Sequence, residues 1–281
     1  MYAFALLSFS ALGIAYLNFE QLNLNAWKTF NLPRTFLFWF FPAVLIWLLA
    51  PKRSNKELIY VLLYLVFSFV IIDFIPDYSS WVSDYFVDKR FASLFYWAAM
   101  LVVLYLSLAV FGRKVFETYV FKQKFENSSQ FYLPSKAILG ETVWFLVAAP
   151  FVYLLLYSFS GSLEFKHTYS FYKEADAINY SLSKAISWEI IYGLSFFSLE
   201  FFFRGFIIHS LKPIIGWLAI PSMALFYCML HFGKPMPECI GSLLGGLLLG
   251  GLSYKSGSIW AGLLCHLSLA IGMDLFVLLA K

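Results

Sequence analysis

Charged side chains are scarce in this sequence, in which Asp, Glu, Lys and Arg together make up 13% of 281 residues. An ordinary soluble domain has about 25% charged residues. Hydrophobic residues make up 61% of the chain, which is more apolar surface than a soluble fold of this size can bury. This composition excludes a soluble domain, a disordered chain, a collagen-like chain and a nucleic-acid-binding protein.

Cysteines and nucleophile motifs are also rare. The three cysteines are Cys228, Cys239 and Cys265. Because the number is odd and two of them lie in apolar runs, we expect no disulfide framework. The sequence contains neither G-x-S-x-G nor H-E-x-x-H, which excludes a serine nucleophile elbow and a zinc protease with that motif.

Long apolar runs account for most of the chain. They cover residues 2–18, 35–50, 57–76, 91–111, 141–160, 187–211, 213–231, 238–254 and 258–280. Because the runs are continuous rather than alternating, they predict helices and not barrel strands. The fold class predicted is an all-α, polytopic transmembrane helical bundle with about eight or nine spans. The first run lacks a basic flank and a cleavage site, so we expect a retained span and not a signal peptide.

The polar connections predict an orientation. Residues 51–56 and 113–136 are basic, whereas residues 73–88 contain four aspartates and no Lys or Arg. The positive-inside rule puts the two basic connections in the cytoplasm and, with nine spans, the N-terminus outside. We expect a multi-pass protein in the plasma (inner) membrane of a bacterium, in contact with the lipid bilayer.

Polar chemistry at membrane depth divides the chain into two regions. Residues 1–160 predict N-terminal transmembrane helices with hardly any polar groups at membrane depth, and residues 187–280 predict a core that carries nearly all of the polar groups at that depth. Glu200 and Arg204 are four residues apart and therefore share one helix face. The pair has two interpretations that are compatible, a structural ion pair or a general base with a positively charged partner.

Histidines follow in the next two spans. His231 ends one span, which is typical of an interfacial histidine, and His266 lies near the middle of the last span with Asp274 two turns later. An imidazole at that depth requires a partner for its N–H. Together these residues suggest catalysis, but a metal site of Glu200, His231 and His266 is an alternative.

A metal site with cysteine ligands is a further interpretation of the same region. Cys228 and His231 share a helix face, and Cys265 precedes His266, but this spacing matches no closed zinc motif. The fixed charge of Arg204 disfavours a divalent cation beside Glu200. We therefore predict no cofactor and no metal.

The ordered set of Glu200 and Arg204-Gly205, then His231, then His266 resembles the CPBP (Abi) family of CAAX-protease and bacteriocin-processing intramembrane endopeptidases. The likeness covers residues 187–280 and extends to Ser258, Trp260 and Gly262. The resemblance implies that Glu200, Arg204, His231 and His266 are catalytic. A carboxylate activates water, and the histidines and arginine stabilise the reacting oxygen.

Two positions depart from the family pattern. Leu199 stands where the family has its first Glu, and Ala270 stands where it has an Asn, whereas Tyr227 replaces a Phe. Leucine cannot activate water and alanine cannot donate a hydrogen bond. Glu200 is the expected base, with Glu238 or Asp274 as substitutes.

Three functions follow from these residues. The first is an intramembrane endopeptidase that hydrolyses a peptide bond near the membrane surface, with a membrane peptide or protein as its substrate. The second is a catalytically lapsed scaffold that binds membrane partners, which Leu199 and Ala270 support. The third is a proton-coupled transporter, which the absence of paired broken helices in inverted halves disfavours.

Overall fold

The fold is helical throughout the residues that the structure describes. This computed structural model describes residues 32–51, 56–74, 82, 84–122, 153–154, 182–232 and 236–279, and no strand occurs among them. The prediction of an all-α fold is confirmed for this part of the chain. The apolar runs at 2–18 and 141–160 lie outside the described residues, apart from 153–154.

Eight α-helices are present in the described part of the chain. They are α1 (Leu32–Leu49), α2 (Lys56–Phe74), α3 (Lys89–Val115), α4 (Leu182–Glu200), α5 (Ile208–Ile215), α6 (Ala219–Met229), α7 (Met236–Ser256) and α8 (Trp260–Leu279). Two wider π-helical segments follow α3 and α4 directly, at Phe116–Val120 and Phe201–Ile207, and a short 3₁₀ turn, Gly216–Leu218, joins α5 to α6.

Local sequence explains several helix boundaries. Asp88 caps α3 by accepting a hydrogen bond from the backbone N–H of Phe91. Gly216 ends α5 with a φ of 58°, and Gly257 separates α7 from α8 with a φ of 68°. Glycine adopts a positive φ without steric cost, so both residues are suited to the sharp turns between helices.

Within the part of the chain that the structure describes, three helical segments are long and apolar enough to cross a membrane. They are Lys56–Phe74, Lys89–Val120 and Ile186–Met229, and the shorter apolar helices Thr35–Leu49 and Trp260–Gly272 accompany them. Large hydrophobic side chains that face outward, such as Leu37, Phe67 and Leu248, fit contact with lipid. The protein is therefore an integral membrane protein by composition and fold, and the number of eight or nine spans stays a prediction.

The core contains many aromatic side chains. Trp39 stacks on Phe69 with ring centroids 4.4 Å apart, and Phe69 stacks on Phe226 at 4.9 Å. Phe202 and Tyr105 pack beside them. One hydrophobic cluster thus joins helices from the predicted N-terminal region to helices of the predicted polar core. The division at 160 and 187 remains a prediction about organisation.

Helices α2 and α3 run antiparallel. The hydroxyl of Tyr64, in the middle of α2, donates to the carbonyl oxygen of Leu108, in the second half of α3, whereas Asp73 at the end of α2 lies within reach of a Coulomb interaction with Tyr105, which is earlier in α3. A Cβ on Gly112 would lie 2.7 Å from the Tyr64 ring, so glycine permits this close approach. The two helix ends that border the basic connections therefore lie at the same end of the bundle, as the predicted orientation requires.

Candidate active site

The site begins with a buried ion pair at the end of α4. Glu200 Oε1 lies 3.0 Å from Arg204 Nη1, and the two side chains are 0% and 1% exposed. The spacing of four residues predicted that both side chains share a face, and the structure brings them into contact. Two charges without solvent in a membrane protein must be compensated by each other, because an unpaired buried charge costs several kcal/mol.

A π-helical segment carries the arginine. Residues Phe201–Ile207 form the wider turn, which begins directly after Glu200. The backbone carbonyl of Arg204 accepts a hydrogen bond from the Ser253 hydroxyl of α7 at 3.1 Å. π-Helical turns are rare and occur often at functional sites, because they redirect side chains on a continuous helix.

His266 of α8 completes the charged group. Its Nδ1 lies 3.0 Å from Glu200 Oε1, the same oxygen that faces Arg204. Because an ionised carboxylate oxygen can only accept, Nδ1 carries the proton, and Nε2 is the unprotonated nitrogen of a neutral ring. The His266 side chain is 15% exposed whereas that of Glu200 is 0% exposed, so the imidazole is the more accessible partner.

Gly262 lies one helical turn before His266 and faces the second oxygen of Glu200. A Cβ at this position would be 2.8 Å from Glu200 Oε2, so no side chain fits there without a shift of the carboxylate. The Glu200 carboxylate therefore lies across one turn of α8, from Gly262 to His266. In the sequence, the four-residue spacing shows that Gly262 and His266 share one face of α8. That spacing does not reveal which residue approaches this face from another helix.

Tyr227 of α6 is a site residue that the sequence interpretation missed as a functional group. Its hydroxyl lies 3.2 Å from His266 Nε2, and the Arg204 guanidinium lies over its ring at 4.4 Å. In the sequence Tyr227 appears only as an aromatic replacement for Phe. Its hydroxyl at membrane depth was the available signal, since such a group requires a hydrogen-bond partner.

His231 joins the site through Tyr227. Its Nδ1 donates to the backbone carbonyl of Tyr227 at 2.9 Å, and the two rings meet edge to face with centroids 4.8 Å apart. The Cys239 thiol donates to the backbone carbonyl of His231 at 2.7 Å. This hydrogen bond fixes the orientation of the His231 ring relative to α6.

The candidate substitutes for the missing glutamate have different positions. Glu238 lies in the first turn of α7, partly buried, within reach of a Coulomb interaction with Tyr227. The side chain of Asp274 lies outside the described residues. Leu199 is partly buried against the hydrophobic core, and Ala270 is 3% exposed, so neither adds polar chemistry to the site.

The potential metal ligands do not converge in the described part of the chain. No three His, Cys, Asp or Glu side chains among these residues are grouped so that they hold one ion. The thiol of Cys228 donates to the Cys239 carbonyl at 3.5 Å, and all three cysteines are free and buried. The site as described consists of an ion pair, an imidazole and a phenol, without a ligand cage.

Comparison with known proteins supports the same region. Residues 182–271 match the family model described as "Rce1-like: Type II CAAX prenyl endopeptidase Rce1-like". No curated protein and no solved structure matches the chain. The matched segment contains Glu200, Arg204, Tyr227, His231 and His266. The resemblance to the CPBP family of CAAX-protease-like membrane proteins is therefore confirmed over this part of the chain.

Proposed function

We propose that the protein is an intramembrane endopeptidase that hydrolyses a peptide bond with an activated water molecule. The observation that carries this proposal is the contact of Glu200 with His266, which links a buried carboxylate to an accessible imidazole. An imidazole whose second nitrogen is held by a carboxylate is a typical general base. The match to a family of prenyl endopeptidases supports a protease function in general.

The proposed reaction uses the Glu200–His266 pair as its base. A water molecule replaces the Tyr227 hydroxyl at Nε2 of His266, and Nε2 takes a proton from it while the water oxygen bonds to the peptide carbonyl carbon. Glu200 stabilises the imidazolium through Nδ1–H, as the carboxylate does in other carboxylate–histidine pairs. When the C–N bond breaks, the proton passes from His266 to the leaving nitrogen, and the products are a carboxylate and an amine. General base catalysis of this kind contributes about 10²–10⁴-fold in rate.

Arg204 supplies the positive charge in this proposal. Its Nε and Nη2 atoms are buried and reach no acceptor in good hydrogen-bond geometry among the described residues. Buried donors of this kind favour an oxygen atom that gains negative charge during the reaction. We propose that Arg204 and His231 stabilise the tetrahedral oxyanion. No side-chain nucleophile is required.

The proposed substrate is a membrane peptide or protein that is cleaved near the membrane surface. The name of the matched family suggests a prenylated C-terminal peptide as one class to test. The outward-facing apolar side chains support a location in the bilayer, which we propose to be the plasma (inner) membrane of a bacterium. The proposed mechanism needs no cofactor, and a metal held by Glu200, His231 and His266 is the alternative for elemental analysis to test.

Leu199 and Ala270 favour a second candidate function. Both side chains are apolar at positions where the family resemblance implies polar groups. A lapsed protease that binds membrane partners would keep the fold and the buried Glu200–Arg204 pair, because an ion pair also stabilises helix packing. This scaffold requires no accessible base, whereas the endopeptidase does.

A cleavage assay separates the two candidates. Purified protein in detergent is incubated with a membrane-peptide library that includes farnesylated C-terminal peptides, and wild type is compared with His266→Ala. The control is Ser268→Ala, which removes a hydroxyl bonded to the Cys265 carbonyl on the same helix. Cleavage by wild type and the control but not by His266→Ala is expected for the protease. Absence of cleavage in all three at matched folded levels would favour the scaffold.

A further inference from the structure

A serine of α7 bonds to the backbone of the π-helical segment that carries Arg204. The Ser253 hydroxyl donates to the carbonyl oxygen of Arg204 at 3.1 Å, and both residues are buried. We propose that Ser253 is a positioning residue for Arg204: it stabilises the wide turn and thereby fixes the guanidinium beside Glu200. The inference rests on the proposed endopeptidase function, within which Arg204 stabilises the tetrahedral oxyanion.

The hydrogen bonds of the segment explain why this carbonyl needs a donor from another helix. In an α-helix the N–H of Ile208 would bond to the carbonyl of Arg204, four residues earlier. Here the Ile208 N–H bonds to the carbonyl of Phe203, five residues earlier, as in a π-helix. The wide turn therefore takes the usual donor away from the Arg204 carbonyl. Because a buried carbonyl without a donor is costly, the Ser253 hydroxyl stabilises the π-helical turn relative to a regular α-helix.

Helix α7 contacts the same stretch of chain at a second point. Lys212 of α5 donates through Nζ to the carbonyl oxygen of Tyr254 at 3.1 Å, and its ammonium group lies over the Tyr254 ring at 4.4 Å from the centroid. Two neighbouring residues of α7 thus bind the chain, Ser253 at the π-helical segment and Tyr254 at the helix that follows it. The two contacts fix α7 relative to this chain, so the serine hydroxyl has a defined position beside the Arg204 carbonyl.

The position of the Arg204 guanidinium depends on the register of this turn. Its Nη1 lies 3.0 Å from Glu200 Oε1, and its central carbon lies 4.4 Å from the centroid of the Tyr227 ring. A return to α-helical hydrogen bonds would remove the extra residue from the turn. The residues on its two sides would then rotate relative to each other by about 100°, the rotation of one residue in an α-helix. The Ser253 contact therefore maintains the geometry in which Arg204 meets Glu200 and Tyr227.

Ser253→Ala tests this role because it removes the hydroxyl and leaves a good helix-forming residue. Steady-state cleavage is measured to separate kcat from KM, and we expect kcat to fall about tenfold with little change in KM. NMR of protein labelled with ¹³C,¹⁵N-arginine and ¹⁵N-glycine reports Arg204, because Arg204-Gly205 is the only Arg-Gly pair in the sequence. The Arg204 carbonyl carbon should shift upfield as its hydrogen bond is lost, and the guanidinium Nε resonance should shift with it.

Ser256→Ala is the matched control on the same helix. The Ser256 hydroxyl donates to the Leu252 carbonyl and accepts from the Ser258 N–H, so the substitution removes a serine hydroxyl that does not contact the π-helical segment. We expect kcat and the Arg204 resonances to remain at the wild-type values. If Ser253→Ala does not fold, Ser253→Cys supplies a weaker donor at the same position, and kcat and the carbonyl resonance should change in the same directions.

The outcomes separate this inference from the proposed function. An unchanged Nε resonance of Arg204 in Ser253→Ala would overturn the positioning role, whatever the cleavage rate. Shifted resonances with an unchanged kcat would also overturn it, since the contact would then not serve the reaction. If wild type cleaves no peptide, the proposed function fails, and with it the role in catalysis; the NMR comparison still decides whether Ser253 holds Arg204.

Discussion

Glu200 and His266 lie 66 residues apart in the chain, and their side chains meet at 3.0 Å between Oε1 and Nδ1. The carboxylate is completely enclosed, and the imidazole remains partly accessible. In the proposed reaction the more accessible histidine therefore meets the water molecule, and the glutamate acts through it. This relationship assigns the two residues different roles in the proposed reaction and suggests substitutions that test each role.

Arg204→Ala should destabilise the fold as well as remove activity. The substitution leaves the Glu200 carboxylate buried without its cationic partner, at a cost of about 3–5 kcal/mol. Arg113→Ala is the matched control, because Arg113 and Glu117 are also four residues apart but 20% and 19% exposed. That pair should contribute about 0–1 kcal/mol. Reversible unfolding in mixed detergent micelles measures both; equal losses for the two variants would contradict the account.

Gly262→Ala should reduce cleavage because the new methyl group meets the Glu200 carboxylate. The added Cβ would be 2.8 Å from Oε2, so the carboxylate must move away from its position beside His266. We expect a fall in kcat of about tenfold or more, since misplacement of a catalytic group by about 1 Å is costly.

The control for this substitution is Gly245→Ala in α7. A Cβ there meets nothing within 4 Å. Alanine in a helix is more favourable than glycine by about 0.5–1 kcal/mol, so this variant should be slightly more stable and fully active. Full activity of Gly262→Ala, with the expected behaviour of Gly245→Ala, would show that the close approach has no role.

Acid should weaken the junction between the starts of α3 and α4. Lys184 bonds to Asp88 at 2.6 Å, and this contact, with the Phe91 N–H, lowers the pKa of the Asp88 carboxyl below its usual value. The folded protein thus binds this proton less readily than the unfolded chain does. The stabilisation is complete above the usual carboxyl pKa and is lost as the pH falls through the lowered value.

Thermal unfolding in detergent, at about pH 7 and about pH 3, measures this effect. The loss of unfolding temperature on acidification should be smaller in Asp88→Asn than in wild type, because the variant has no carboxyl to protonate. The same loss in both proteins would rule out a contribution from Asp88.

The predicted orientation is testable with single cysteines in a background without the three native ones. Ser54→Cys and Ser128→Cys should react with an impermeant reagent from the cytoplasmic side, and Ser83→Cys from the other side. The antiparallel arrangement of α2 and α3 supports this expectation through the Tyr64–Leu108 contact. Labelling of positions 54 and 128 from opposite sides would contradict the alternating topology.

The helical fold and most residues of the candidate active site could be predicted from the sequence. Continuous apolar runs require helices in lipid, and four-residue spacing put Glu200 beside Arg204. Because ionisable side chains are rare at membrane depth, Glu200, Arg204 and His266 could be identified as site residues without any knowledge of packing. These predictions rest on rules that act within one helix or on the solvent around it.

Contacts between helices could not be predicted in the same way. Tyr227 contacts His266 from α6, and the Glu200 carboxylate of α4 lies against Gly262. No fixed interval in the sequence predicts either contact. The sequence of Phe201–Ile207 likewise has no pattern that predicts a π-helix. One of its carbonyl groups, that of Arg204, accepts a hydrogen bond from Ser253 on another helix, α7. Tertiary packing determines such features.

The most direct test of the central claim is the rate of peptide cleavage by Glu200→Gln relative to wild type, at matched levels of folded protein. In the proposed reaction the Glu200 carboxylate stabilises the His266 imidazolium, which a neutral amide of the same shape cannot do. We expect a fall in kcat of about 10²-fold or more. A Glu200→Gln variant that cleaves at the wild-type rate would contradict the account, and Glu238 would then be the next carboxylate to substitute.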